Sequence, residues 1–349
     1  MLKYFLFSIF LVLLSSPAIS SDDDRTLRLY NWEDYMPQFV LDDFEKQTGY
    51  HVEQIYYASD ELKEELIIRT GGKGMDLIMG ASDGFMNYIS QGGVISKFDP
   101  TLTPNLAHID PSWNKYYPGL SDHAAPFLWG TLGIIYRKDL VKQHVSSWAD
   151  ILQPDESLHG KILMLQDRRI LFTPALKLLG SSSNETKYEN LQQAAELLNK
   201  QQPHVASYKY FDISEESELI VGSIWMALAY NGDALALRKY SDNIEYIVPK
   251  EGTFIWADYI AILEASTKKP AAHAFINYIN SPEIAAKLAE SLNYASPNLA
   301  ANKLLSKEFL NDPLIYPPIA VINKSEVLLP IKGRTMSYYN NIYTNLLVQ

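Results

Sequence analysis

Strand and helix patterns alternate regularly over residues 26 to 79. Strands are predicted over 26–31, 51–57 and 76–79, and helices over 37–48 and 61–69. The second of these helices is predicted to bury Leu62, Leu66 and Ile67 on one face. This alternation implies a parallel sheet with helices on its faces, in which ligands bind beyond the carboxyl ends of the strands.

The same pattern returns in the middle of the chain. Strands are predicted over 161–165 and 244–248, and a helix over 188–200. A further helix is predicted to begin at Ser281-Pro282, with the serine as its capping residue. The chain has 349 residues and no Gly/Ser linker, which favours two α/β domains joined by strands that cross between them.

The composition excludes several classes of protein. Lys and Arg number 30 against 41 Asp and Glu, so the formal net charge of −11 leaves no basic stripe for nucleic-acid phosphates. The absence of cysteine excludes disulfide scaffolds, thiolate zinc sites, cysteine nucleophiles and lipidation of an N-terminal cysteine. The acidic balance favours cationic partners.

The N-terminus has the pattern of a secretory signal peptide. Lys3 precedes an apolar run over 4–14 that only Ser8 interrupts, and this run is too short to anchor the chain in a bilayer. Ala18 and Ser20 supply the small residues that precede a cleavage site. We therefore predict cleavage of residues 1–20 before Ser21 and export of the mature chain to the periplasm.

Histidines and glycines lack the spacing of common metal and phosphate sites. The seven histidines never occur at i, i+2 or i, i+4, so a zinc hydrolase is not expected. The run Gly71-Gly72-Lys73-Gly74 has neither the spacing nor the Lys-Ser/Thr of a phosphate-binding loop. The sequence predicts no metal and no cofactor.

One segment matches the pattern of a serine nucleophile. Gly80, Ser82 and Gly84 fit Gly-x-Ser-x-Gly after a predicted strand, which makes Ser82 a candidate nucleophile of an esterase. No His-Gly-Gly oxyanion segment lies upstream, and His273 falls inside a helical pattern where a catalytic base belongs on a loop. A glycine-rich turn at a strand end is the favoured interpretation.

Aromatic residues are interleaved with carboxylates where predicted strands end. The segments are Trp32-Glu33-Asp34-Tyr35, Asp167, Tyr230-Asn231-Gly232-Asp233 and Trp256-Ala257-Asp258. A carboxylate accepts hydrogen bonds from an ammonium group, and an aromatic face attracts the same cation. Two such clusters would suit an α,ω-diamine. Each Trp taken singly is more often a core residue than a ligand contact, so the hypothesis depends on their joint placement.

Two segments carry a resemblance to a known family. The run Tyr30 to Tyr35, together with Pro249 to Gly252 and the Trp256-x-Asp258 that follows, resembles the periplasmic spermidine/putrescine-binding proteins of polyamine ABC transporters, from about Leu27 onward. The resemblance implies a type II periplasmic binding protein fold, α/β, with two lobes joined by crossing strands. It implies the following division: signal peptide 1–20; lobe 1, 21–130 with 256–302; lobe 2, 131–255 with 303–349.

The resemblance also implies a set of ligand-binding residues. The aromatic walls of the ligand site would be Trp32, Tyr35, Tyr230, Trp256 and Tyr294. The carboxylates that pair with the ligand's ammonium groups would be Asp34, Asp167, Asp233 and Asp258. Glu33, Ser82 and Asp83 complete the predicted ligand-binding set. Tyr230 stands where relatives commonly have Trp, and Ile170 where they usually carry a carboxylate. Asp83 would either restore that charge or cap the following helix, and both interpretations stay open.

The sequence therefore predicts a monomeric, non-enzymatic protein that closes two lobes around putrescine or spermidine and delivers it to an inner-membrane ABC permease. Two alternatives remain besides the esterase. One is a protein of the same fold for another ligand, such as ferric iron held by tyrosine pairs at 56–57, 116–117 or 338–339. The other is a sensor that contacts a signalling receptor. The choice between two-amine and three-amine ligands stays open.

Overall fold

The computed structural model describes residues 23–331 and 333–348. The predicted signal peptide at 1–20 lies outside these residues. Within the described ranges, every helix is too short or too polar to cross a membrane.

Ten strands belong to one continuous, curled sheet within the part of the chain that the structure describes. They are β1 (Thr26–Asn31), β2 (His51–Tyr56), β3 (Leu77–Ala81), β4 (Ala124–Arg137), β5 (Ile162–Met164), β6 (Val205–Tyr208), β7 (Met226–Tyr230), β8 (Ile244–Ile247), β9 (Phe254–Ile262) and β10 (Glu326–Val327).

Helices cover both faces of this sheet. They are α1 (Gln38–Thr48), α2 (Asp60–Thr70), α3 (Ser82–Gln91), α4 (Ala149–Leu152), α5 (Arg168–Leu178), α6 (Tyr188–Gln201), α7 (Glu218–Val221), α8 (Asn231–Arg238), α9 (Lys269–Ile279), α10 (Pro282–Leu292), α11 (Leu299–Asn302), α12 (Lys307–Asn311), α13 (Ile319–Ile322) and α14 (Arg334–Val348). Short 3₁₀ segments cover Asp23–Arg25, Pro104–His108, Pro111–Lys115, Leu120–Asp122, Glu156–Leu158 and Gln202–His204.

The first half of the sheet has the strand order β2-β1-β3-β9-β4. Strand β1 pairs in parallel with both β2 and β3, which confirms the predicted strand–helix–strand alternation. Strand β9 pairs antiparallel with β3 and with β4, so the sheet is mixed and not wholly parallel. The carboxyl ends of β1, β2 and β3 lie at one edge, where a ligand site is expected.

Strand β4 connects the two halves of the sheet. Its residues 124–131 pair with β9, and residues 132–137 pair with β7 and β8. In the second half, β5 lies in parallel between β6 and β7. The predicted strands over 161–165 and 244–248 are thus confirmed as β5 and β8 within one or two residues, which is the usual scatter at element ends.

Each half of the sheet has apolar clusters on its two faces. In the first half, Phe44 of α1 meets Phe275 of α9 edge to face with ring centroids 5.0 Å apart. In the second half, Phe172 of α5 meets Tyr339 of α14 with centroids 5.1 Å apart. Burial of each such side chain contributes about 1.5–3 kcal/mol, so the packed helices hold the strand ends in place.

The predicted burial of α2 is partly wrong. Ile67 is buried, but Leu62 is 55% exposed and Lys63 is fully buried in its place. Residues 63 and 67 are four apart and share the inner helix face, whereas residue 62 points away from it. A lysine on the inner face is unexpected from hydropathy, and its partners are described below.

The predicted capping by Ser281 is also wrong. Helix α10 begins at Pro282 as expected, but Ser281 Oγ donates a hydrogen bond to the carbonyl oxygen of Tyr278 over 2.7 Å. The hydroxyl group therefore satisfies the end of α9 and not the start of α10. Proline at the first helical position lacks an N–H group, so one fewer donor needs a cap there.

Candidate ligand-binding site

A cleft between the two halves of the sheet brings together most of the predicted site residues. It contains a cavity of about 630 Å³. We call it the aromatic cavity; it is lined by Trp32, Tyr35, Ala58, Ser59, Asp60, Gln166, Asp167, Tyr210, Tyr230, Asp233, Trp256, Asp258 and Tyr294. Several of these residues follow the carboxyl ends of β1, β2, β5 and β7, which is where an α/β sheet places its ligand.

Trp256 of β9 lies at the centre of the aromatic wall. Its indole packs edge to face against Tyr294, with ring centroids 4.8 Å apart, and against Tyr230 at 6.2 Å. Tyr294 in turn meets Tyr35 at 6.3 Å. Trp32 packs on Tyr57 at 4.3 Å on the side of the first half of the sheet. The cavity therefore has π-faces and ring edges from both halves of the sheet.

Two of the carboxylates are fixed by backbone donors at helix starts. Asp167 is the N-terminal cap of α5, and its Oδ1 accepts from the backbone N–H groups of Arg169 at 2.8 Å and Ile170 at 2.9 Å. Asp233 lies in the first turn of α8, and its Oδ2 accepts from the backbone N–H of Tyr230 at 3.2 Å. These bonds orient both carboxyl groups before any ligand binds.

The cavity changes the acid–base properties of its side chains. Burial raises the pKa of the Asp233 carboxyl to about 7, although the bond from Tyr230 N–H opposes this. Burial raises the pKa of Tyr35 well above its usual value, and the neighbouring Asp258 raises it further. Burial likewise raises the pKa values of Tyr230 and Tyr294, so these phenols stay protonated.

Four residues of the predicted ligand-binding set are absent from the lining of the aromatic cavity. Glu33 and Asp34 are exposed, because Asp34 adopts a left-handed φ of 57° in the turn after β1, which directs Trp32 and Tyr35 toward the cavity. Ser82 is buried and donates to Tyr117 Oη over 2.7 Å. Asp83 is the second residue of α3, and its side chain lies outside the described part of the chain.

Several lining residues were missed by the sequence prediction. Ser59 and Asp60 follow β2 at the same edge of the sheet as Trp32, so the strand-end rule would have identified them. Gln166 precedes the predicted Asp167 after β5, and the same rule applies to it. Tyr210 is contributed by an irregular segment after β6, which has no helical or strand periodicity.

A second cavity of about 490 Å³ adjoins the aromatic cavity. The two share Asp60, Asp167 and Trp256. Among the other lining residues of the second cavity are Glu64, Ser82, Gly84, Arg168, Arg169 and Ile170. Two arginines line the second cavity, whereas four aspartates line the aromatic cavity, so the second cavity is less suited to a cation than the first.

One tyrosine of each pair considered for iron binding, and both residues considered for catalysis, have other partners. The hydroxyl groups of Tyr57, Tyr117 and Tyr339 donate to backbone carbonyl oxygens. No group of three His, Asp or Glu side chains suited to a metal ion occurs in the described ranges. His273 Nε2 accepts from the backbone N–H of Asp99 at 3.0 Å, so it is engaged away from Ser82.

The curled sheet with a ligand-sized cleft between its halves defines a two-lobed solute-binding protein. The model of the bacterial extracellular solute-binding protein family matches residues 40–317, and the chain belongs to this family. This confirms the predicted fold class and the resemblance on which it was based.

Similar proteins of known name are bacterial binding proteins. The chain is 33% identical over 338 residues to the spermidine/putrescine-binding periplasmic protein of Escherichia coli (strain K12), covering 95% of this chain and 94% of that one. It is 28% identical to the norspermidine sensor of Vibrio cholerae, covering 93% and 89%. The solved structure of a putative spermidine/putrescine ABC transporter protein from Listeria monocytogenes is 29% identical, with a TM-score of 0.80 and coverage of 92% and 98%.

Proposed function

We propose that this chain binds a polyamine, putrescine or spermidine, between its lobes in the periplasm and delivers it to an inner-membrane ABC permease. The observation that carries the proposal is the joint placement of Asp167, Asp233 and Asp258 around the Trp256 wall in one cavity. The similarity to the spermidine/putrescine-binding periplasmic protein of E. coli supports the same ligand class.

The chemistry of the aromatic cavity suits a chain of methylene groups with ammonium ends. Carboxylates accept charge-assisted hydrogen bonds from each ammonium, and ring faces cover the methylene groups between them. If each end gains about 2 kcal/mol from its hydrogen bonds and about 2 kcal/mol from the desolvated rings, two ends supply about 8 kcal/mol before association costs. Closure of the lobes would lower those costs by preorganising both walls.

The lobes are proposed to divide where β4 and β9 pass between the two halves of the sheet. This gives 21–130 with 256–302 for lobe 1 and assigns 131–255 to lobe 2. Leu305 and Val327 pack in the apolar clusters of the first half, whereas Leu328 packs in that of the second. Leu314 also packs in an apolar cluster of the second half, so residues 303–349 contact both halves of the sheet. The third crossing is proposed near residue 302, with 303–349 assigned to lobe 2.

The remaining predictions complete the proposal. The protein is exported by a signal peptide that is cleaved before Ser21, and it acts as a monomer without a cofactor. Its family consists of solute-binding proteins, so transport requires binding and release with no catalytic step.

Isothermal titration calorimetry with putrescine and spermidine tests the ligand class. We expect at least one of them to bind in the micromolar range. Asp258→Asn should weaken binding by about 2 kcal/mol or more, because an ammonium group would remain buried without its charge partner. Asp242→Asn, at an exposed turn before β8, is the matched control and should leave the affinity unchanged. If the folded protein binds neither amine below millimolar concentration, the ligand class is wrong.

A further inference from the structure

A buried lysine lies directly behind the wall of the aromatic cavity. The side chain of Lys63 in α2 is 1% exposed, and its Nζ forms an ion pair with Oδ1 of Asp60. Asp60 itself is 41% exposed and lines both cavities. The lysine therefore neutralises, from the protein side, a carboxylate that faces the ligand space.

The surroundings of Lys63 resemble an ammonium-binding site that is already filled. Its Nζ lies 5.2 Å from the ring centroid of Tyr57, and Tyr57 packs on Trp32 of the cavity wall. Gly80 makes room for the ammonium, because a Cβ at that position would collide with Nζ. A carboxylate, a ring face and a close backbone are the groups that would hold a ligand ammonium.

Asp60 stands where a long ligand would pass from one cavity into the other. Beyond it, the second cavity is lined by Arg168, Arg169 and Ile170, together with Glu64 of α2. An ammonium group entering there would approach two arginines. Of the two aspartates that both cavities share, Asp60 is already paired with Lys63, and Asp167 caps α5. The aromatic cavity keeps three further aspartates, Asp167, Asp233 and Asp258, for the ends of a shorter ligand.

We propose that Lys63 is a specificity-determining residue, which occupies Asp60 with an internal ammonium and thereby favours diamines over ligands with a third ammonium. This inference rests on the proposed polyamine-binding function. Lys63 acts through Asp60 and not by contact with the ligand, so its removal should change the preference between amines in a way that depends on Asp60.

The test compares the dissociation constants of putrescine and spermidine by calorimetry. Lys63→Met keeps the length of the side chain and removes its charge, and we expect the spermidine-to-putrescine Kd ratio to fall at least tenfold. Adding Asp60→Asn to this variant should return the ratio to within about threefold of the unmodified protein. Lys97→Met, at an exposed ion pair outside both cavities, is the matched control and should leave the ratio unchanged.

A measurement on the unmodified protein covers the case in which Lys63→Met does not fold. N-butyl-1,4-diaminobutane has the length of spermidine, with a methyl group in place of the third ammonium. We expect it to bind at least fivefold more tightly than spermidine. Equal or weaker binding, or an unchanged Kd ratio in folded Lys63→Met, overturns the role of Lys63. A protein that binds none of these amines instead overturns the proposed function.

Discussion

The ring of Tyr294 stands edge to face against the indole of Trp256, with their centroids 4.8 Å apart. Gly232, at the start of α8, lies directly against the same tyrosine ring, and a Cβ on this glycine would collide with it. The position of the Tyr294 ring in the cavity therefore depends on the absence of a side chain at residue 232. The backbone of lobe 2 and the aromatic wall are in direct contact here.

Gly232→Ala should displace Tyr294 and weaken putrescine binding at least tenfold, because the ring would leave its place against Trp256. Calorimetric titration measures the loss. Gly160→Ala is a control for strain alone, since Gly160 has a left-handed φ of 65° with open space around it. That control should cost stability without changing affinity. Equal affinities for both variants would contradict the role of Gly232.

Trp256→Leu should weaken amine binding about tenfold or more, since it removes the ring that Tyr230 and Tyr294 both contact. Trp225→Leu is the matched control. The indole of Trp225 packs near Lys161 and donates to the carbonyl oxygen of Gly222, outside the aromatic cavity. We expect its loss to leave the dissociation constant unchanged, and a comparable loss in both variants would argue against a specific aromatic wall.

We expect Asp233 to make amine binding depend on pH. Burial raises the pKa of its carboxyl to about 7, and an ammonium ligand favours the ionised form. Below this pKa, binding must release a proton, so affinity should rise about tenfold per pH unit up to about pH 7 and level off above it. Calorimetry in buffers of different ionisation enthalpy measures the released proton. Asp233→Asn should remove this dependence, and proton uptake on binding would contradict it.

The same raised pKa affects stability in the opposite direction. The unfolded chain ionises Asp233 near pH 4, whereas the folded protein holds it protonated up to about pH 7. Its contribution to the free energy of unfolding is therefore complete below pH 4 and is lost as the pH rises to about 7. A bound ammonium compensates for this loss, so ligand and stability are linked through one carboxyl group.

Two phenylalanines of α1 should differ in their effect on stability. Phe44 is fully buried against Phe275, whereas Phe39 is 47% exposed. Phe44→Ala should lower the free energy of unfolding by about 3–5 kcal/mol through lost burial and the cavity that remains. Phe39→Ala should change it by about 0.5 kcal/mol or less. Urea unfolding measures both, and equal midpoints would be inconsistent with this packing.

The features predicted most accurately from the sequence are the bounds of helices and strands that have a clear apolar periodicity. The bounds of β1, α1 and α6 follow from apolar spacing and from stop residues such as Gly49, and the structure agrees within one or two residues. The clusters predicted at strand ends supplied seven residues that line the aromatic cavity, and the family resemblance added Tyr294. Trp256 and Asp258 lie inside β9 and not at its end as predicted, and β9 pairs antiparallel with β3 and β4. The ends of parallel strands therefore account for the other five residues of these clusters.

What the sequence did not predict depends on contacts between distant segments. Asp34 was expected to bind ligand, but a left-handed turn points residues 33 and 34 outward. Lys63 was not expected inside, because hydropathy assigns lysine to the surface, whereas its ion pair with Asp60 and its contact with the ring of Tyr57 favour burial. Tyr210 comes from an irregular segment whose path is set by tertiary packing.

Strand β4 is fourteen residues long and supplies hydrogen bonds to strands of both halves. If either half of the sheet unfolded, β4 would lose the strand partners on that side, and its unpaired backbone groups would be exposed to water. We therefore expect the two halves to unfold as one cooperative unit, so that damage to the core of either one lowers the stability of both. We expect such a chain to show a single melting transition, even though its ligand lies between the two halves of the sheet.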